Sequence, residues 1–174
     1  MSKDTQLSDS DGDVLVKTAR KAVTEFLSNG NRMKLESDIG EKFSFNSGVF
    51  VTLNNPAGLR GCIGFPMPEK KLSHAIIEGA IAAATEDPRF PSVKINELND
   101  IVFEVTVLTP PVEIDVSDPM EYLEKIKVGR DGLIIRHSFS SGLLLPQVPV
   151  EYSWSTEEFL QHTCEKAGLE KDAW

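Results

Sequence analysis

The stretch "GVFVTLNNPAGLRGCIGF", residues 48–65, reads as two β-like runs separated by the turn residues Asn54, Asn55, Pro56, Ala57 and Gly58. β-branched and aromatic side chains suit a pleated surface, and Asn, Pro and Gly reverse the chain, so the stretch predicts an antiparallel hairpin. The second run is unusual. Glycine weakens a strand interior, yet Gly61 and Gly64 bracket Cys62, and Arg60 stands just before them.

On the N-terminal side, "DVLVKTARKAVTEFLSNG" sets Val14, Leu15, Ala19, Ala22, Val23, Phe26 and Leu27 along one helical stripe. Asp11 or Asp13 is placed to cap its start, and Gly30 fits just past its end. Residues 1–10 lack apolar anchors and read as a disordered tail before a single domain over 11–174. Residues 31–48 read as a polar connection with one short strand at Phe43 and Phe45.

On the C-terminal side, "KLSHAIIEGAIAAATEDP" predicts a helix with Leu72, Ala75, Ile76, Gly79, Ala80 and Ala83 on one face. Asp87-Pro88 ends it, because proline disfavours helical backbone in the residue before it. So many small residues imply close packing against a sheet. "DIVFEVTVLTPP" then alternates as a strand that two prolines terminate.

Asp118 as N-cap, Pro119 and Glu121 open a short helix, "MEYLEKI", and "LIIRH" with "SFSSG" and "LLLP" forms a second hairpin. The last helix has Ser155 as N-cap, Glu158 at N3, Trp154 placed to staple onto Phe159, and Gly168 as its stop. Cys164 falls on its apolar stripe and reads as core. Strands joined by hairpin turns and mixed with helices define an α+β class with a largely antiparallel sheet and packed helices.

If residues 59–65 are extended, Arg60, Cys62 and Gly64 share one face, with the α-carbons of Arg60 and Cys62 about 7 Å apart. A cation at that range favours thiolate, and the glycines leave amides and space for a ligand. Cys62 is therefore the candidate nucleophile or redox thiol, and Arg60, Gly61 and Gly64 are candidate ligand contacts. A cysteine in a strand also serves as a small buried hydrophobe, and Gly61 on the apolar face also suits tight packing of the Ala-rich helix.

Arg89 in "EDPRF" is placed either in a pocket at the helix end or in a surface ion pair. His74, His137 and His162 stand at no fixed short spacing from Cys62, so a Cys/His dyad would have to be assembled by the fold. Glu104 is the lone charge of its strand.

The chain has 174 residues, 40 % of them apolar, and a formal net charge of −9. That supports one substantial core and argues against generic nucleic-acid binding or coating of an anionic membrane. Cys62 and Cys164 have no zinc-ligand spacing, so no metal site is expected. No secretory signal or membrane span is legible, which suggests a cytoplasmic protein with both thiols reduced. No phosphate loop or dinucleotide fingerprint names a cofactor.

"LRGCIG", "AAATEDPRF", "EVTVLTPP", "GRDGLII", "GLLLPQV" and "CEKAGLEKDAW" occur in this order, and together they resemble the AMMECR1 domain family from about residue 10 to 174. The Gly64-Phe65-Pro66 that follows Cys62 is similar to the archaeal and bacterial members. The resemblance implies an α+β fold with a large lobe holding both chain ends, a smaller lobe, and a cleft between them lined by "LRGCIG". It brings no defined reaction. Carried onto this chain, its signature is Leu59, Arg60, Gly61, Cys62, Ile63 and Gly64, with Arg89 and Phe90 as secondary candidates. The expected partner is a small anionic molecule or another protein, the latter leaving a non-catalytic adaptor in which Cys62 is replaceable.

Overall fold

A computed structural model describes residues 7–174, and the chain divides into two units, the first running to Pro110 and the second covering Pro111–Trp174. The chain is α+β with antiparallel sheets throughout.

In the first unit, helix α1 spans Asp9–Asn29. Its cap is Ser8 rather than Asp11 or Asp13. The Ser8 hydroxyl accepts from the Asp11 N–H at 3.3 Å, and the Asp11 carboxylate reaches back to the Ser8 N–H at 2.8 Å. That reciprocal box satisfies two orphan donors at once, so the helix starts earlier than the apolar stripe suggests. Residues 7–10, expected in the tail, belong to the folded unit: Leu7 packs against the core and residues 8–10 form the cap and first turn, while residues 1–6 lie outside the described residues. Gly30 closes the helix in the left-handed conformation, donating to the Phe26 carbonyl.

In place of the expected short strand, Phe43 caps the C-terminal end of a six-residue helix, α2, Ser37–Lys42, and Phe45 lies in the bend that follows. A helix that short shows no periodicity. Lys42 pairs with Asp11 at 2.5 Å, and Phe43 is buried in the core, which together pin α2 to the start of α1.

Strands β1, Gly48–Asn55, and β2, Gly58–Phe65, form the predicted hairpin, and β3, Val102–Leu108, pairs along the other side of β1. The strand order β2-β1-β3 leaves β2 and β3 as edges. Val49, Val51 and Leu53 of β1 are fully buried with Leu15, Ala19 and Val23 of α1 and with Leu72, Ala75, Ile76 and Ala80 of α3, Leu72–Thr85. Small residues on α3 let its backbone approach the sheet. A 3-10 turn, Ile95–Asp100, leads into β3.

The second unit contains α4, Glu121–Lys125; β4, Leu133–His137; β5, Ser140–Leu144; α5, Gln147–Glu151; and α6, Thr156–Lys166. Helix α5 is the one element here that the sequence reading leaves unassigned. Strands β4 and β5 form the second predicted hairpin. Asp118 acts at the start of α4 as expected, accepting from the Met120 N–H at 2.9 Å, although the regular helix begins at Glu121.

Phe159, Leu160, Ile126, Leu133 and Leu144 make this unit's own core, with Trp154 and Trp174 packed against it. The ring of Trp154, expected to staple onto Phe159, also stacks on His162 with centroids 3.9 Å apart. The C-terminal helix thus packs within the second unit while α1 packs within the first.

At α6 the capping box is the one predicted: the Ser155 hydroxyl accepts from the Glu158 N–H at 3.2 Å, and Glu158 Oε2 accepts from the Ser155 N–H at 2.8 Å. Ser155→Ala should therefore lower the stability of this unit by about 1 kcal/mol. Both tryptophans lie in it, so fluorescence-monitored denaturation reports the loss. An unchanged midpoint would show that the cap contributes nothing. Cys164 is fully buried, as expected, and burial raises its thiol pKa.

Candidate functional site

The pairing of β1 with β2 sets which way each residue of "LRGCIG" points. Val51 faces Ile63, Thr52 faces Cys62 and Leu53 faces Gly61, but Asn54 faces Leu59. Arg60 is therefore the extra residue of a β-bulge, and the simple alternation that put it beside Cys62 and Gly64 fails there. The bulge re-aims the guanidinium away from the outer sheet face that carries Cys62.

Arg60 is 9 % exposed and fully engaged. Its Nε donates to Glu97 Oε2 at 2.9 Å, Nη2 to Glu97 Oε1 at 3.2 Å, and Nη1 to the Pro91 carbonyl at 2.8 Å. Glu97 Oε1 also accepts from the Lys94 N–H at 2.8 Å. A two-pronged guanidinium–carboxylate pair of this kind is strong and directional. The Arg60 guanidinium holds the Glu97 carboxyl below its usual range. Arg60 thus ties the segment 91–97 to β2, and its charge is already matched.

The glycines are explained by packing. A Cβ on Gly61 would lie 2.1 Å from the Ala83 carbonyl oxygen of α3. On Gly64 it would lie 2.3 Å from the Val49 carbonyl oxygen and 2.5 Å from the Phe50 ring. Helix backbone fills the space beside one glycine and an aromatic ring covers the other, so close packing accounts for both. Of the two readings of Gly61, tight helix packing is the one the geometry carries.

Cys62 is half-buried, and its sulfur accepts from the Thr52 hydroxyl at 3.2 Å. Among the described residues no histidine hydrogen-bonds to it. His74 lies beside Ser73, and His162 pairs with Glu165 in the second unit. The backbone of Cys62 is held more firmly than its side chain. Its N–H donates to Asp87 Oδ2 at 2.9 Å, and its carbonyl accepts from Arg89 Nη2 at 3.4 Å.

Asp87 is the residue that sequence reasoning missed, reading it only as a helix end. Its carboxylate, 4 % exposed, also accepts from the Arg89 N–H at 3.1 Å, Nε at 2.9 Å and Nη2 at 2.7 Å. The Arg89 guanidinium, helped by the backbone N–H groups of Cys62 and Arg89, holds this carboxyl well below the usual range. The available signal was an Asp two residues before an Arg at a helix end, where a carboxylate reaches the N–H two residues on. Arg89 is paired, as its surface-ion-pair reading has it, with its side chain 54 % exposed.

Beside the Arg60–Glu97 pair lies an open hollow of ≈ 570 Å³ whose lining includes Phe90, Ser92, Lys94 and Asn96. A smaller one of ≈ 220 Å³, lined by Asn55, Asp100 and Ile101 among others, shares Glu97. Cys62 lines neither. Lys94 makes no ion pair among the described residues. No group of three or more His, Cys, Asp or Glu among them is arranged to hold a metal ion, and no helix among them is long and apolar enough to cross a membrane.

The sequence profile of the AMMECR1 family matches residues 16–174. A protein of Methanothermobacter thermautotrophicus is 51 % identical over 168 residues, covering 97 % of this chain and 88 % of its own. One of Methanocaldococcus jannaschii is 52 % identical over 166 residues, covering 94 % and 82 %. The crystal structure of an uncharacterised protein from Pyrococcus horikoshii is similar with a TM-score of 0.88 at 50 % identity, over 94 % of this chain and 82 % of that one.

Proposed function

The chain belongs to the AMMECR1 family, and from that premise we propose that it is a binding protein that takes a small anionic ligand in the hollow beside Arg60. The observation that carries this reading is the hollow itself, ≈ 570 Å³ with an aromatic ring, two neutral polar side chains and a lysine on its wall. Its volume falls within the range of small-molecule sites, and because it is open, part of the ligand stays in water. Lys94 is the ligand's counter-charge. Arg60 and Glu97, already paired, form a rigid wall and need no rearrangement on binding. Cys62 is not required, because it does not line the hollow, and any thiol chemistry there would be separate from this site. The proposed location is the cytoplasm, where both free thiols stay reduced.

The test is a thermal-shift series with inorganic phosphate, citrate and adenosine monophosphate as probes. A ligand present at a hundred times its Kd stabilises the folded form by about 2.7 kcal/mol, so at least one probe should raise the melting temperature measurably. Lys94→Ala should abolish that rise and Cys62→Ser should keep it. No rise with any probe, or a rise that survives Lys94→Ala, would overturn the reading.

A further inference from the structure

The two edges of the three-stranded sheet are treated differently. Edge β2 carries a bulge, and at Cys62 both outward backbone groups are covered by Asp87 and Arg89. Edge β3 has none of these devices. Its register with β1 runs unbroken from Gly48–Leu108 to Asn54–Val102, and within Val102–Leu108 there is no proline, no glycine and a single charge, Glu104. An unbroken, largely apolar edge is the feature that natural sheets normally avoid unless it pairs.

Which groups β3 offers follows from alternation. Because the Cys62 N–H turns outward to Asp87, Thr52 and Cys62 are a non-hydrogen-bonded pair, and Thr52 directs its backbone groups to Glu104. The outward groups of β3 are then those of Phe103, Val105 and Val107. Among the described residues none of them has a backbone partner beyond the β1 ladder. The open stretch is bounded on one side by Ile101, whose N–H donates to Leu98 and whose carbonyl accepts from Arg20. On the other side, Pro110 and Pro111 have no N–H to give.

We infer that β3 pairs antiparallel with β3 of a second copy of this chain about a twofold axis at Val105, joining two three-stranded sheets into one. In that register Val105 faces the partner's Val105 and Phe103 faces the partner's Val107, each pair exchanging both hydrogen bonds. On the outer face Glu104 meets the partner's Thr106, so no like charges oppose each other. Val102, 64 % exposed, is covered by the partner's Leu108. The same stretch is thus complementary to itself, as a twofold interface demands. With a net charge of −9 on each copy, association strengthens with added salt.

The experiment is analytical ultracentrifugation of the full chain over a wide concentration range at moderate salt, with Thr106→Glu and Thr106→Lys beside the wild type. Both substitutions fall on the outer face and leave the β3 backbone intact. Thr106→Glu sets a second carboxylate opposite Glu104 twice per dimer and should weaken association roughly tenfold, whereas Thr106→Lys should tighten it. Amide exchange at Val105 should slow as concentration rises. A wild type that stays monomeric throughout, or a dimer indifferent to both substitutions, would overturn the inference.

Discussion

Gly61→Ala destabilises the first unit by about 3 kcal/mol, the upper end of what one added methyl costs in a packed core. The new Cβ would stand 2.1 Å from the Ala83 carbonyl oxygen and 3.1 Å from its carbon, distances no real Cβ sustains. The obstacle is helix backbone, so no rotamer change relieves it. Either α3 lifts off β2 or the strand buckles. Both openings reach the buried set of Val49, Val51, Ala80 and Ala83 beneath. Far-UV circular dichroism in urea measures the change in this unit, which has no tryptophan. Ala83→Gly in the same protein should not rescue it, because the clash is with the main chain. A Gly61→Ala midpoint equal to wild type would show that α3 leaves room for a methyl group beside β2.

Asp87→Asn should cost about 2–3 kcal/mol near neutral pH, less than a fully buried pair because Arg89 is half in water. The amide keeps one acceptor but loses the charge that gathers the Cys62 N–H and three donors of Arg89 around one carboxylate. The pH dependence has a definite sign. The folded-state pKa of Asp87 lies below its ordinary value of 3.8, chiefly through the Arg89 guanidinium. Its stabilisation is therefore fully present above pH 4 to 5, and it is lost as pH falls from there toward the folded value. The wild type should lose stability on that acid limb more steeply than Asp87→Asn, so that the two curves converge at low pH. Urea midpoints at a series of pH values test this. Parallel curves would assign the acid sensitivity to other groups, Asp11 first among them, whose pKa is lowered to about 2 by Lys42 and Ser8.

Short-range chemistry made most elements legible. The hairpin turn at Asn54–Gly58, the Ser155–Glu158 box, the Gly30 and Gly168 stops and the 3.6-residue stripes of α1 and α3 depend on residues within a few positions of one another. Neighbours in sequence are neighbours in space there, so local rules suffice. The start of α1 was misread for the same reason in reverse: its first turn is polar, and only the reciprocal hydrogen bonds of Ser8 and Asp11 reveal it.

The site was legible in part. By itself the sequence determined the α+β class, the family, the burial of Cys164 and the concentration of unusual residues in "LRGCIG". The tertiary structure alone decided what those residues do. A one-residue bulge turned Arg60 from Cys62 toward Glu97, 37 positions away, and α3 filled the space that Gly61 left open. The partners of Cys62, Asp87 and Arg89, are 25 and 27 positions distant. Side-chain direction along a strand reverses with a single inserted residue, and a guanidinium takes whichever carboxylate the fold brings within 3 Å. Both facts depend on pairings across the chain that no local pattern encodes.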